Sequence, residues 1–410
     1  MRQINYIPRF AAGLLHRALA VSPVVVLMGA RQTGKSTLVQ NEPSLSGHQY
    51  LTLDHPEVRE QARLAPDELL RRAPRLVLDE VQREPDLLLA VKRAVDADRP
   101  RANGRFVLTG SANLLLMQRV AESLAGRATY ATLRPLSRRE RLGRGVPGIW
   151  SELLSTPMDK WANFVGGQED AAVDWREWAR HSGYPVPALE LSGPEARSLW
   201  FDGYIRTYLE RDLQDLSAVA DLVDFRRLMR AACHRLGGLL NQAEIARDTG
   251  IPRATVQRYL NLLEASFQTV RLPAYSVNRT KRLIKGPKLY WSDPALAHWL
   301  GGGGELTGAH LENLVLADLL VWRDGQIPAP ELRYWRTTTD REVDFVIESD
   351  GRLLAIEVKA AEARYSDTAG LRQFRDEYAD RFAGGLLLHG GARIQRMSDG
   401  ILAAPWWRVL

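Results

Sequence analysis

The run Gly29-Ala30-Arg31-Gln32-Thr33-Gly34-Lys35-Ser36 constrains this chain more than any other stretch of it. It fits the pattern G-x-x-x-x-G-K-[ST], with the apolar residues Val24 to Met28 before it and a helix-compatible run from Thr37 after it. A strand entering a glycine-rich turn and then a helix offers backbone N–H groups to phosphate oxygens, and the helix N-terminus favours an anion. The pattern predicts a nucleotide site in which Ala30, Arg31, Gln32, Thr33 and Thr37 line the phosphates. Lys35 is expected to reach the terminal ones and Ser36 to ligate Mg2+.

Over the first 141 residues, five short apolar runs alternate with helical stretches, the rhythm of a doubly wound α/β domain with a parallel sheet. They are Val24 to Met28, Tyr50 to Leu53, Leu76 to Leu78, Phe106 to Leu108 and Thr129 to Leu133. The third ends in two carboxylates, Asp79 and Glu80, 44 residues beyond Lys35, a gap with room for a helix, a strand and another helix. Asp79 is expected to hold Mg2+ through water. Glu80, pointing the other way across the pleat, is the candidate general base for the attacking water. Acids at a strand end often only face solvent, but next to a phosphate loop the chemical reading gains. Thr109 and Ser111 follow the fourth run as candidate sensors of the terminal phosphate, although hydroxyl turns are common there. Arg127, in Ser123-Leu124-Ala125-Gly126-Arg127, is the candidate arginine finger acting across subunits, because developing phosphoryl charge needs a cation beside it.

At 410 residues the chain outgrows one core, since single cores stop growing at roughly 250 to 300 residues. Its 45% hydrophobic and 25% charged fractions are those of folded protein. No apolar run reaches the roughly 18 residues of a membrane helix, and the richest N-terminal run is broken by His16, Arg17 and Pro23, so a cytoplasmic protein is expected. The lone Cys233 excludes an internal disulfide and a cysteine zinc site. The net charge is +6, and seven lysines among 55 cations leave 48 arginines, whose planar fork suits phosphate. Codon bias accounts for such an excess equally well, so the charge permits nucleic-acid binding without establishing it. Composition and punctuation divide the chain into a phosphate-loop core over 1–141, a tryptophan-rich helical linker over 142–224, a compact helical domain over 225–300 and, after Gly301 to Gly304, an α/β domain over 305–410.

In the third of these, Asn241 to Leu260 has a helix-turn-helix layout. Asn241 caps a first helix, Gly250 makes the turn, and Pro252 begins a second helix burying Val256, Leu260 and Leu263. Arg253, Thr255, Gln257 and Arg258 avoid the buried stripe and are candidates to face a DNA groove. Arg279, Lys281, Arg282, Lys285 and Lys288 fall between strands expected around Val270 and Tyr290. Together these read as a winged helix with a basic wing, used for DNA or only for packing or protein contact.

Near the end, Val343 to Ile347 and Leu353 to Lys359 flank Asp350-Gly351, a strong hairpin signal. A regular two-residue turn sets Asp344 opposite Glu357 and Glu342 opposite Lys359, with Val343, Phe345, Leu354, Ile356 and Val358 on the other face. Two opposed carboxylates about 5 Å apart repel by about 3 kcal/mol at an effective dielectric near 20. A bound Mg2+ or Mn2+ offsets that, with Lys359 placed to stabilise charge on a scissile phosphate. The arrangement resembles the PD-(D/E)xK nuclease core, with Asp344, Glu357 and Lys359 as its D…ExK residues. Glu312 on the preceding helix matches the additional acidic position and Gln373 is a weaker match to a later one. The competing account keeps the fold for DNA binding or structure, with Lys359 merely pairing Glu342.

The ordered series GARQTGKST, LVLDEVQ, VLTGSAN, SLAGR, LRPLS, SGYP, YIRTYLERDL, LYWSD, HLENLVLADLL and REVDFVIESDGRLLAIEVK spans nearly the whole chain. It resembles the prokaryotic AAA+ (AAA_14-type) ATPases with a C-terminal DUF4143 region. That resemblance implies ATP binding at Gly29 to Ser36 with Asp79 and Glu80 in the roles above, and supplies no physiological substrate. The expected architecture is α/β: a P-loop AAA+-like parallel-sheet domain, a helical linker, a winged-helix domain and a PD-(D/E)xK nuclease-like domain. The expected function is an oligomeric Mg2+-dependent ATPase that remodels or moves along DNA, with branched DNA as a target by analogy and a metal-dependent cut as an addition. A nucleotide-gated switch on a partner protein or promoter and an ATP-gated endonuclease are the competing readings.

Overall fold

The computed structural model describes residues 6–98, 100–110, 123–168, 171–210, 221–276 and 286–410. Ser111 and the loop cations Arg279, Lys281, Arg282 and Lys285 lie outside the described residues.

Strands β1 (Val24–Met28), β2 (Gln49–Thr52), β3 (Leu76–Asp79), β4 (Phe106–Thr109) and β5 (Ala128–Thr132) form a parallel sheet in the order β2-β3-β4-β1-β5. β1, β3 and β4 are buried on both faces, which is why they read as near-continuous Val and Leu runs rather than alternating ones. Helices Ala11–Val21 and Lys35–Asn41 cover one face through Leu14, Leu15, Leu38 and Val39, and helix Leu87–Ala97 packs on the other against Val24, Leu76 and Leu78. β4 separates β1 from β3, while β2, the strand expected between Lys35 and Asp79 in sequence, lies at the outer edge. Because every strand runs the same way, the phosphate loop after β1, Asp79 and Glu80 at the end of β3 and Thr109 of β4 gather at one edge of the sheet.

Beyond residue 142 come short helices whose Trp150, Trp161 and Trp175 are buried. Helices Leu222–Cys233, Gln242–Thr249 and Arg253–Ala265 then precede an antiparallel pair, β6 (Thr269–Leu272) and β7 (Lys288–Trp291), with Val270 opposite Tyr290. Asn241 caps as its sequence position predicts, its side-chain oxygen accepting from the N–H groups of Ala243 and Glu244. Gly250 turns the chain at φ 72°. The last region sets helix Gly308–Asp324 and helix Ala369–Glu377 against a mixed sheet of β8 (Glu331–Arg336), β9 (Glu342–Ser349), β10 (Arg352–Lys359), β11 (Phe382–His389), β12 (Gln395–Ser398) and β13 (Ile401–Pro405). Its order is β12-β13-β11-β10-β9-β8. One continuous apolar core runs from Trp150 through Leu260 and Leu319 to Trp406, so the linker helices, the three-helix unit and one face of this sheet are packed together. No helix among the described residues is long and apolar enough to cross a membrane.

The hairpin closes at Asp350-Gly351, both at positive φ, and its pairing runs from Ser349 opposite Arg352 to Phe345 opposite Ile356, the expected register. Past that point two expectations fail. Against β8, Arg333 faces Val346 but Trp335 faces Val343, so β9 carries one extra residue, a bulge at Asp344-Phe345. The bulge moves Val343 to the opposite face, where it packs with Val346, Leu353 and Ala355 instead of with Phe345. It also turns Glu342 toward Arg336, away from Lys359.

Candidate nucleotide site and a second acidic cluster

The phosphate loop is shaped by close packing. A Cβ on Gly29, at φ 149°, would lie 2.2 Å from the Leu133 carbonyl oxygen, and Gly34 sits at φ 93°. No residue with a side chain fits the first position, and the second favours glycine for its backbone alone. Lys35 is buried, and its ammonium donates to the carbonyls of Gly29 at 3.1 Å and Ala30 at 2.8 Å. Burial lowers its pKa to about 8; Glu80 and Asp79 pull the other way and Arg31 adds to the fall.

Ser36 and Asp79 come together across the loop, the hydroxyl lying 2.9 and 3.2 Å from the two carboxylate oxygens. Tyr50 donates to the same carboxylate at 2.5 Å, and the buried Thr109 hydroxyl donates to its other oxygen. Thr109 also accepts the Glu80 N–H at 3.2 Å, so it braces both acids rather than facing the loop alone. Glu80 adopts a left-handed backbone, φ 60° and ψ 44°, uncommon for a residue with a side chain and kept where surrounding structure enforces it. Its carboxylate accepts from Gln82. A hydroxyl beside a carboxylate, below a glycine loop with a buried ammonium, is the donor set that suits a phosphate chain and its hard divalent cation.

Lys35, Ser36 and Glu80 line an open cavity of about 500 Å³ with Arg31, Gln32, Gly34 and Thr37. Its other walls include residues to which the motif does not point: Tyr6, Ile7 and Arg9 from the N-terminal segment, Leu136 after β5, and Pro185, Val186 and Leu189 from the Gly183-Tyr184-Pro185 turn onward. Arg9 donates to the carbonyls of Thr33 at 2.9 Å and Arg134 at 2.5 Å and pairs with buried Glu140. Arg127, by contrast, lies at the opposite end of the sheet, its carbonyl accepting from Val24 at the start of β1, and its guanidinium pairs with Asp96 at 2.6 Å. It cannot touch the loop of its own chain.

The acids of the last region also converge, around a cation assigned above to DNA. Lys288 is 3% exposed; its ammonium pairs with Glu342 and, at 3.2 Å, with Asp344. That burial removes it from the expected basic wing. The other Asp344 oxygen accepts the Val358 N–H at 2.9 Å, Lys359 donates to Glu357 at 2.6 Å, and Tyr290 donates to Glu312 at 3.1 Å. Burial raises the Glu312 pKa to about 8, with Asp344 adding to it and Lys288 opposing. Burial, then Asp344, also pushes Glu357 well up. For Lys288 burial works against the charge, but Asp344, Glu312 and Glu342 together outweigh it and push the pKa up. Among the described residues, no three Asp, Glu, His or Cys groups are set to hold a metal ion. Gln373 is exposed on helix Ala369–Glu377.

Residues 21–142 match the AAA domain family AAA_14, 172–307 a domain of unknown function, DUF8612, and 307–409 a domain of unknown function, DUF4143. An uncharacterized protein of Mycobacterium tuberculosis is 32% identical over 98% of this chain and 84% of its own length. One of Haemophilus influenzae is 23% identical over 79% of this chain and 74% of its own. The chain belongs to the AAA_14–DUF4143 family. A Walker-type ATPase of Pyrococcus abyssi resembles it at 15% identity and a TM-score of 0.47, over 73% of this chain and 97% of its own.

In this AAA_14–DUF4143 protein residues 21–142 accordingly have an AAA-type P-loop ATPase fold. Among the cavity residues that sequence reasoning missed, Pro185 had a signal, the turn punctuation at Gly183-Tyr184-Pro185. Arg9 had none, being one of 48 arginines ahead of the first recognisable element.

Proposed function

We propose that this chain binds ATP with Mg2+ above Gly29–Thr37, hydrolyses it with Glu80 as general base, and couples hydrolysis, as an oligomer, to remodelling or moving along DNA. The contact of Ser36 with Asp79, with Glu80 braced beside it by Thr109, is the observation that carries this reading. Ser36 and, through water, Asp79 would hold the Mg2+, whose charge offsets that of the phosphates. Lys35 exchanges its carbonyl partners for phosphate oxygens, and Glu80 takes the proton of the attacking water.

The DNA part draws on the second helix of the three-helix unit. Arg253, Gln257 and Arg258 are exposed there and Thr255 is half-buried, on the side away from buried Val256, Leu260 and Leu263. Three helices followed by an antiparallel pair is the layout of a winged helix. A buried polar chain joins it to the loop: the Tyr204 hydroxyl lies 3.4 Å from the Arg31 carbonyl and 3.2 Å from the Tyr184 hydroxyl, and accepts from Gln268, next to β6, at 3.1 Å. The same chain serves the second reading, a nucleotide-gated switch acting on a partner protein or promoter. Metal-dependent cutting at Asp344, Glu357 and Lys359 loses support from Lys288, which stands among those acids.

ATPase rates without DNA, with linear duplex and with a four-way junction, beside Lys35→Ala and Glu80→Gln, test the proposal. DNA stimulation that both substitutions abolish is expected. Hydrolysis indifferent to DNA selects the switch, and no hydrolysis by clean protein overturns the reading.

A further inference from the structure

The acidic cluster of the last domain and a divalent cation do not fit one another as this chain is folded. A Mg2+-type ion needs several oxygen ligands near 2.1 Å, at least one or two from carboxylates. Most of the candidate oxygens are already engaged. Asp344 Oδ1 faces the Lys288 ammonium at 3.2 Å and Oδ2 accepts the Val358 N–H at 2.9 Å. Glu357 Oε1 holds Lys359 at 2.6 Å, and Glu312 Oε2 accepts from Tyr290 at 3.1 Å. Glu342 pairs with Lys288 and, at 3.6 Å, with Arg336. Glu357 Oε2 is buried without a partner, and a single such oxygen does not make a divalent site.

We propose that Lys288 is a built-in counter-cation that holds the Asp344 carboxylate and keeps divalent metal out of the Glu312–Asp344–Glu357 cluster. Lys288 comes from a different part of the chain than the acids it neutralises. Its strand, β7, pairs with β6 along its length and bridges to Leu239. Its ammonium lies 5.8 Å from the Tyr334 ring centroid, and Tyr334 in turn pairs with the Pro273–Tyr275 segment through backbone hydrogen bonds of 3.0 and 2.5 Å. The cation is therefore delivered by the middle domain into the last one on a fixed backbone. A tethered ammonium competes at the high effective concentration of an intramolecular partner, against which a free ion must be desolvated and repelled by the charge already there. The bulge at Asp344-Phe345 is what makes the arrangement reachable, since it lets Asp344 meet Lys288 while Phe345 stays against Tyr290, with ring centroids 5.9 Å apart.

This inference stands apart from the nucleotide reading and is tested without ATP. Full-length, chelator-stripped protein is titrated with Mn2+, bound ion being read by electron paramagnetic resonance and stability by thermal melting. Wild type and Asp344→Asn are expected to show the same absence of tightly bound ion at millimolar Mn2+, with neither melting temperature moved by the metal. Lys288→Met is expected to gain one bound ion at least about tenfold tighter than wild type, with a melting temperature that added Mn2+ raises, and Lys288→Met/Asp344→Asn to lose both responses. Lys288→Gln, which keeps a hydrogen-bond donor without the charge, takes the place of Lys288→Met if that variant does not fold. Mn2+ binding by wild type that Asp344→Asn removes, or no gain in the Lys288 variants, overturns the proposal.

Discussion

Two lysines of this chain are almost equally buried, Lys35 at 5% and Lys288 at 3% exposure, yet their surroundings treat the charge in opposite ways. Around Lys35 the ammonium meets backbone carbonyls, the nearby acids only partly offset burial, and its pKa falls to about 8. Around Lys288 three carboxylates outweigh the same burial and push the pKa up. A buried cation without an ion pair is costly unless a ligand supplies the opposite charge, whereas one already paired is costly to remove. On the proposed reading Lys35 is kept for a phosphate that arrives from outside, whereas Lys288 is already paired within the fold itself.

The largest effect expected from this contrast is in turnover. Glu80→Gln should lower hydrolysis by about 10²- to 10⁴-fold, the usual weight of a general base, while leaving nucleotide binding measurable by calorimetry. Equal loss of binding would move Glu80 out of that role. Next come opposite stability changes for the same substitution at the two lysines. Lys288→Met should destabilise by about 3–5 kcal/mol, as when one partner of a buried pair is removed. Lys35→Met should stabilise the nucleotide-free protein at pH 7 by up to on the order of 3 kcal/mol, the value of a pKa lowered from 10.5 to about 8. Since the folded form holds its proton less tightly there, the cost is present below pH 8 and disappears as pH rises toward 10.5. Denaturant titrations at pH 7 and pH 10 read both, and equal signs at pH 7 would break the comparison.

Smaller is the pH signature of the acidic cluster. Glu312 titrates near 8 in the folded chain against an ordinary 4.5, so its contribution is complete below pH 4.5 and is lost as pH rises through 8. Glu312→Gln, which imitates the protonated acid, should melt no higher than wild type at pH 4.5 and higher at pH 9. The smallest effect belongs to Arg127→Ala. Its pair with Asp96 is exposed and far from the loop, so melting should hardly change, and a drop in ATPase without a drop in melting would identify a trans-acting finger.

Local chemistry made the candidate nucleotide site legible as a cluster. The glycines, Lys35, Ser36, Asp79 and Glu80 lie next to strand ends, and a parallel sheet brings all strand ends of one sense to one edge. The hairpin register was legible for a similar reason, because Asp350-Gly351 sets the pairing for several residues on either side. What could not be read depended on distance in sequence or on one extra residue. Lys288 looked like part of a basic run beside Lys281 and Lys285, and only the packing of β7 against β9 shows that its partners are Glu342 and Asp344, more than fifty positions away. The bulge in β9 leaves no trace in an alternating pattern, yet it decides which way Val343 and Glu342 face. Arg9 and Leu136 join the cavity over the phosphate loop through tertiary packing alone.

Arg134 follows Leu133, whose carbonyl abuts Gly29, and its guanidinium grips Asp324 at 2.7 Å in a half-dry setting. Asp324 ends the helix that carries Glu312, twelve residues and about 18 Å away at 1.5 Å per residue. The candidate phosphate-loop cavity and the pocket that shelters Lys288 therefore sit at opposite ends of one helix, tied to it by Arg134 through Asp324 at one end and by the cluster around Glu312 at the other.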